Sequence, residues 1–442
     1  MPLARRLLQP LLSRALVHPY VHQLLAARYE LPRRLAAITP TITVWLRCND
    51  PYSYLLVQVL PQLANQFELQ FEIKLLPYQE PNHFLSHELR DAWYLAQLHQ
   101  LSFHEFQTPN EESCQLANQI LLAEHDLALE DYLTLIKQVF LCLWEHQSHK
   151  LRTLALRFSP FPLEQSQRRL LINQHQLTQF GQDKAAYLHY QGHWFWCLDD
   201  LLFLTEQLSA AGLGQEYQSG LYLPSHTPDY LINDTEQLTI IRRQKYQLDY
   251  YFHLNEPWSY LYFQPVCRLA EYYQLKLHLK PILLSQYDDC SLDLSWYQRL
   301  QTLTWFAQKT QTDFGRICLA NDKAMMYSLN LICLAKSQGL DQAVSLAVLQ
   351  RIWATGHDLS YSSSLKQLIK ETGLKLKQIN TIKNDSYLST IEQYTLEWTQ
   401  LDVPYVPTLY LHGERRIAFG GAHRLWAIEM ALIDNMKLIG TI

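Results

Sequence analysis

The chain has 442 residues, 48% of them hydrophobic and 12% aromatic, enough to bury more than one core and too apolar for a disordered polymer. A net charge of −5 argues against nucleic acid as a general partner. Eight cysteines are scattered without a Cys-x-x-Cys pair. Zinc and dithiol redox chemistry therefore lack a sequence basis, and isolated thiols in so long a chain point to a reduced, cytoplasmic protein.

Residues 1–40 form a basic arm in which Arg5, Arg6, Arg14, Arg28, Arg33 and Arg34 face a single acid, Glu30. Its apolar runs are broken by Arg, Gln and His, so it reads neither as a secretory signal nor as a membrane span. A transit-like arm and an amphipathic helix on an anionic surface are two readings. The plainer one is a helix packed on the first domain with its arginines in water. No later stretch is long and apolar enough to cross a bilayer.

Residues 41–212 read as a first α/β domain. Val44–Pro77 has the pattern strand, turn, helix, strand, and residues 78–157 show helical periodicity until Phe158-Ser-Pro-Phe-Pro162 breaks it. Lys184–His189 and Trp194–Cys197 then read as a hairpin, and Asp199–Leu208 as a closing helix. Residues 213–247 have linker composition, and short apolar pieces such as Gly220–Leu223 predict a segment draped over a domain.

Residues 248–442 read as a second domain of the same kind. Asp249–Leu254 is a Tyr- and Phe-rich strand. Asn255 stands where an N-cap is expected, and Pro257 where the first helical turn tolerates a missing N–H. Leu275, Leu277 and Leu279 alternate with charged residues as in a half-buried strand. A helix is expected around Trp296–Lys309, more helix over Lys323–Trp398, strands at Pro404–His412 and Arg415–Phe419, and a last helix over Ala422–Asp434. Leu349–Trp353 echoes Val139–Trp144, each ending on an aliphatic-Trp pair.

The two halves repeat one motif without a gap. Asn49-Asp50-Pro51-Tyr52-Ser53-Tyr54-Leu55 answers Asn255-Glu256-Pro257-Trp258-Ser259-Tyr260-Leu261. The chain therefore reads as two copies of one domain in tandem.

An acidic residue, Pro, an aromatic and Ser at a strand-to-helix turn resembles the DsbA-like thioredoxin-fold family, in the group of 2-hydroxychromene-2-carboxylate isomerase and kappa-class glutathione transferase. A second resemblance is Val403-Pro404-Tyr405-Val406-Pro407-Thr408-Leu409 followed by Phe419-Gly420-Gly421-Ala422-His423-Arg424-Leu425. The family has Gly-Val-Pro-Thr there, with a cis proline, and then Phe-x-Gly-x-Asp-Arg-Leu. The implied fold is two tandem thioredoxin-like domains, each with a helical insertion that roofs a cleft.

By the same resemblance, Val406, Pro407 and Thr408 would hold the glutathione backbone, with Pro257, Trp258 and His423 lining its site. Glu256 and Ser259 are the candidate catalytic residues. Asp50, Pro51, Tyr52 and Ser53 form a degenerate first site, in which Lys184 aligns with Pro407 and the Phe-x-Gly-x-Asp-Arg pattern is lost. Glutathione is the implied cofactor, and the implied substrate is a small organic molecule or thiol. No metal is implied.

The departures from the family carry chemistry of their own. A carboxylate at position 256 cannot exchange disulfides, and it disfavours a neighbouring thiolate by like-charge repulsion. His423 cannot replace the permanent charge of the family's Asp. An acid before Pro is also simply a good helix start, and Ser259 is equally a capping hydroxyl or a donor to a substrate sulfur. Two functions follow: a glutathione-linked isomerase, transferase or oxidoreductase, or a catalytically degenerate binding or scaffold protein. The enzyme needs an open cleft between Glu256 and Pro407, whereas the binding module allows Trp258, His423 or the roof to fill it. Since family members pair as dimers, the tandem chain is expected to be an internal pseudo-dimer. The histidine pairs His83/His87 and His146/His149 lack a third ligand with metal spacing.

Overall fold

The structure is a computed structural model, described for residues 3–18, 20–21, 27–28, 31, 35, 39–67, 69–104, 106–123, 127–214, 230–284, 294–375 and 387–438. Residues 215–229 of the expected 213–247 linker, including Gly220–Leu223, lie outside the described residues, while Thr235–Gln244 within it is a helix with Ile241 buried rather than linker. The chain divides into two units. The first comprises Gln23–Pro224 and Asp293–Gln298; the second comprises Met1–His22, Ser225–Leu292 and Arg299–Ile442.

In the first unit, β1 (Thr41–Arg47) is followed by the helix Pro51–Gln66 and by β2 (Gln70–Leu76), parallel to β1. The hairpin β3 (Tyr187–Tyr190) and β4 (His193–Trp196) completes a sheet of order β2-β1-β3-β4. Between β2 and β3 the described residues form the helices Leu85–Leu98, Glu111–Ala123, Leu129–Trp144, Ser148–Arg157 and Leu163–Gln179. The helix Leu201–Ala210 follows β4. One face of the sheet buries Trp45, Leu76 and Trp194 against Leu177 of the inserted helices.

In the second unit, β5 (Gln247–Phe252), β6 (Lys276–Pro281), β7 (Thr408–His412) and β8 (Ile417–Gly420) form a sheet of order β6-β5-β7-β8. β6 runs parallel to β5, while β7 and β8 run antiparallel to their neighbours. Order and direction repeat those of the first sheet, and Thr41 and Gln247 open equivalent strands, as do Gln70 and Lys276. The run Tyr250-Tyr251-Phe252 is sheet core, each residue 2% exposed or less.

Two local readings change. The helix expected after Pro257 is two pieces, Pro257–Leu261 and Phe263–Tyr273. Pro265 has no N–H for the carbonyl four residues earlier, that of Leu261, and its ring crowds that carbonyl, so the helix breaks at Tyr262. The first unit has Val59 at the equivalent place, and its helix runs to Gln66 with Pro61 accommodated two residues further on.

The second change concerns the N-terminal helix, Leu3–Leu16, expected on the first domain. It packs on the second unit: the Ile317 N–H donates to Ser13 Oγ at 3.0 Å. Gly315, at φ 117°, leaves no room for a Cβ, which would stand 2.3 Å from Val17 Cγ2. An amphipathic stripe specifies that a helix is covered, and says nothing of which core covers it.

The sheets differ in where they hold charge. In the second, buried Asp249 of β5 binds His278 Nδ1 at 3.0 Å, Lys280 Nζ at 2.8 Å and His412 Nε2 at 2.8 Å, and Lys280 also reaches Glu397 at 2.7 Å. Bonds from Lys280 and His412, together with their charges, outweigh burial and hold the Asp249 carboxyl below its ordinary value. The equivalent first-unit residue, Thr43, is neutral and donates to Glu72.

Candidate functional site

The repeated motif builds the same scaffold twice. Asn255 does not cap the helix. Its Nδ2 donates to Ala320 O at 2.9 Å and its Oδ1 accepts from Ala320 N at 2.9 Å, clamping the turn to a distant loop. Asn49 makes the same clamp on Gln79, at 2.7 and 3.4 Å. The cap is the acid that follows. Asp50 Oδ2 accepts the Ser53 N–H at 2.6 Å, and Glu256 Oε1 accepts the Trp258 N–H at 3.4 Å. An amide has both a donor and an acceptor to offer a peptide group, whereas a carboxylate only accepts, which suits it to free helix N–H groups.

The serines are part of this scaffold. Ser53 and Ser259 are fully buried, and their Oγ atoms accept the N–H of Arg47 and His253, at 3.1 and 3.2 Å. Ser259 therefore sits beneath the turn, away from any ligand surface. Above the turn, Trp144 Nε1 donates to Cys48 O at 3.1 Å, and Trp353 Nε1 to Leu254 O at 2.9 Å. Each tryptophan, from the echoed helical segments, satisfies a carbonyl that would otherwise be buried unpaired.

The outward positions diverge. In the second unit, Trp258 meets His423 at 4.8 Å between ring centroids and Phe306 at 5.3 Å. Tyr262 stacks on Phe306 at 5.0 Å, and its hydroxyl pairs with His423 Nδ1 at 2.8 Å. Phe306, on the helix Leu294–Lys309, brings the roof into this cluster. Glu256 is 3% exposed, and Arg299 Nη2 lies 3.4 Å from its Oε2. Burial pushes the Glu256 carboxyl up, with Arg299 and the Trp258 amide opposing. His253, buried beneath the turn, is pushed down to about 3 by burial and stays neutral.

Pro257 begins the helix and is buried. The Val406–Pro407 bond is cis. Both residues are buried at the end of β7 whose Thr408 pairs with Tyr251, so they share the sheet end from which the Glu256 turn departs. Thr408 is fully buried; its Oγ1 accepts from Trp398 Nε1 at 2.8 Å and donates to Tyr405 O. Its hydroxyl thus serves the loop before the strand.

Sheet register corrects the reading of the first site. Val44 pairs with Leu188 as Tyr250 pairs with Leu409, so Ala186, rather than Lys184, stands at the position of Pro407. Cys197 N–H donates to Ala186 O at 2.8 Å as Gly421 N–H does to Pro407 O, also at 2.8 Å. Phe195, Asp199 and Leu201 then answer Phe419, His423 and Leu425. The first unit therefore shows part of the pattern taken as lost, with an Asp where the second unit has His423. Leu188 with Leu409 and Phe195 with Phe419 are identical but isolated, and the turns between them differ in length, which is why hydrogen-bond register was needed to find this.

The first site is polar where the second is aromatic. Tyr52 is held by Asp91, its hydroxyl donating to Oδ2 at 2.8 Å, and its ring lies 4.6 Å from that of Trp196. Pro51, buried, begins the helix. Burial raises the carboxyls of Asp50 and Glu88; Asp50 adds to the rise at Glu88, while Arg47 and Lys184 oppose both. Among the described residues no group of three or more His, Cys, Asp or Glu is placed to hold a metal ion. No described helix is long and apolar enough to cross a membrane.

A parallel βαβ unit continued by an antiparallel hairpin, with a cis proline opposite the helix start, defines a thioredoxin-like domain. Residues 247–432 match the DSBA-like thioredoxin domain family. A solved structure of 2-hydroxychromene-2-carboxylate isomerase is similar at 20% identity and TM-score 0.37, over 44% of this chain and 97% of its own. The cytosolic disulfide reductase DsbM of Pseudomonas aeruginosa is similar at 15% identity and TM-score 0.36, over 44% and 99%. The same reductase solved with GSH gives 15% identity and TM-score 0.35, over 43% and 99%. No curated protein matches the chain.

Proposed function

We propose that this chain is a DsbA-like thioredoxin-fold protein that binds or scaffolds rather than exchanging thiols. The observation that carries this reading is the mutual packing of Trp258, Tyr262, Phe306 and His423 over the helix start. On this reading the cluster stands where a tripeptide thiol would enter, in place of an open cleft. The chemistry agrees: a buried carboxylate at position 256 cannot form a mixed disulfide. It also removes the driving force for a thiolate beside it. The seven described cysteines are free, and burial raises the thiols of Cys48, Cys114, Cys142, Cys267 and Cys333. Inert, reduced thiols of this kind suit a cytoplasmic setting. The paired sheets support a tandem duplication, in which the first copy stands in for a partner subunit; such a chain is a monomer by light scattering.

Calorimetric titration with reduced glutathione tests the reading, alongside Pro407→Ala and an insulin-reduction assay. The expected result is no saturable heat and no reductase activity. Saturable binding that Pro407→Ala abolishes would overturn the proposal. It would favour a glutathione-linked isomerase, transferase or oxidoreductase acting on a small organic or thiol substrate.

A further inference from the structure

The outer edge of β2 borders a cavity of 830 Å³ in the first unit, to which all five residues Gln70–Lys74 contribute. Contribution by consecutive residues means that the cavity runs along the strand's edge, since one face would show only alternate side chains. The direction of the peptide groups follows from two bonds. Gln70 N–H donates inward to Pro40 O at 2.9 Å, and Asn173 Nδ2 reaches the outer edge at Leu75 O, 2.9 Å. Alternation then turns the N–H and C=O of Phe71 and Ile73 outward. Among the described residues β2 pairs with β1 alone, and neither Phe71 nor Ile73 has another hydrogen bond. Four ladder groups therefore face the cavity.

The walls supply side-chain recognition. Leu129, Tyr132, Phe161 and Ile172 are apolar, and Arg168 and Arg169 stand on the helix Leu163–Gln179 beside them. Glu72 and Lys74 pair with each other at 3.0 Å. Arg168 and Arg169 have no hydrogen bond or ion pair among the described residues. The groove thus carries two uncompensated positive charges beside an unpaired strand edge.

The second unit ends the same edge differently. There Lys276 N–H points inward to Tyr246 O, so Leu277, Leu279 and Pro281 face outward. Pro281, at the place of Leu75, has no N–H to offer, a common way of blunting an edge strand.

We propose that the β2 edge receives an extended, acidic peptide segment of a partner protein as an added strand, with apolar side chains against Tyr132 and Phe161 and carboxylates on Arg168 and Arg169. Main-chain bonds to Phe71 and Ile73 supply affinity, and the arginines select the charge.

The test uses the full chain and a fluorescein-labelled nonapeptide of alternating Glu and Val, with a Lys-Val peptide as control. Anisotropy should saturate for the acidic peptide and be at least tenfold weaker for the basic one. Arg168→Glu/Arg169→Glu should weaken acidic binding at least tenfold. Ile73→Pro removes an outward N–H without removing a β1–β2 bond, and should abolish binding with its circular dichroism unchanged. Should that variant misfold, amide exchange in the wild-type chain decides: Phe71 and Ile73 should slow when the acidic peptide is added. Equal binding of the two peptides, or unchanged exchange at Phe71 and Ile73 in the bound state, overturns the proposal. So does a homodimer that Ile73→Pro dissociates, since the edge then belongs to a second copy.

Discussion

The two helix starts, at Asp50 and at Glu256, share four inward contacts and almost no outward one. Asn clamps the turn, an acid caps the helix, Ser receives the preceding N–H, and a distant Trp satisfies the carbonyl before the Asn. Outward, Tyr52 faces Asp91 among charged neighbours, while Trp258 faces Phe306 and His423. The comparison separates what the fold needs from what a ligand would see. A motif residue present at both turns is explained by buried hydrogen bonding, so its presence there is no sign of catalysis.

The largest expected effect lies in the sheets. Asp249→Asn should destabilise the second unit by about 3 kcal/mol, because Lys280 and two histidines lose their common buried anion. Thr43→Ala, its first-unit counterpart, should cost under about 1 kcal/mol. Since the native Asp249 carboxyl is held below its ordinary value, its contribution is present above the unfolded value of 3.8 and fades as pH falls through the native one. Urea unfolding of both variants at several pH values measures this. Equal losses would mean that the Asp249 network carries no special weight.

Glu429 gives a dependence of opposite sign. It is 4% exposed, receives the Tyr273 hydroxyl and the Leu231 N–H, and burial raises its carboxyl from 4.5 to about 7. Its protonated form therefore contributes roughly 3 kcal/mol that is fully present below pH 4.5 and is lost as pH rises through about 7. Glu429→Gln should flatten that part of the stability profile. Asp200 in the first unit, buried and raised to about 7 while accepting the Trp196 N–H, should behave alike, so Asp200→Asn is the matching variant. A Gln or Asn variant with an unchanged slope between pH 4.5 and 7 would contradict the assignment.

The smallest effect concerns the caps. Asp50→Ala should cost about 1 kcal/mol. Glu256→Ala should cost less, since its bond to the helix is 3.4 Å against 2.6 Å for Asp50. Thermal unfolding of the two variants ranks them, and the reverse order would show that the Arg299 pair matters more than the cap.

Much of this frame was legible in the sequence because it rests on local signals. The Asn-acid-Pro-aromatic-Ser repeat placed both turns, and alternation in Leu275–Leu279 placed the strand found at Lys276–Pro281. Asn255 was misread as the cap because Asn and Glu both stand at helix starts, and only geometry tells an amide clamp from a carboxylate acceptor. Ala186 was hidden by hairpin turns of unequal length with only isolated identities beside them, and Phe306 and Arg299 by their distance in sequence from the turn they cover. The β2 groove depends on which peptide groups face outward, which composition does not record.

The seat of the N-terminal helix has a consequence for how the chain is made. Ser13 and Ile317 are 304 residues apart, so Leu3–Leu16 leaves the ribosome long before the surface that covers it. At roughly 5–20 residues per second, the wait is on the order of 15–60 seconds. During that time its apolar stripe has no native cover, and the whole first unit can fold. Only the later synthesis of Gly315 and Ile317 gives this helix its cover, so it is made well before it can find its place.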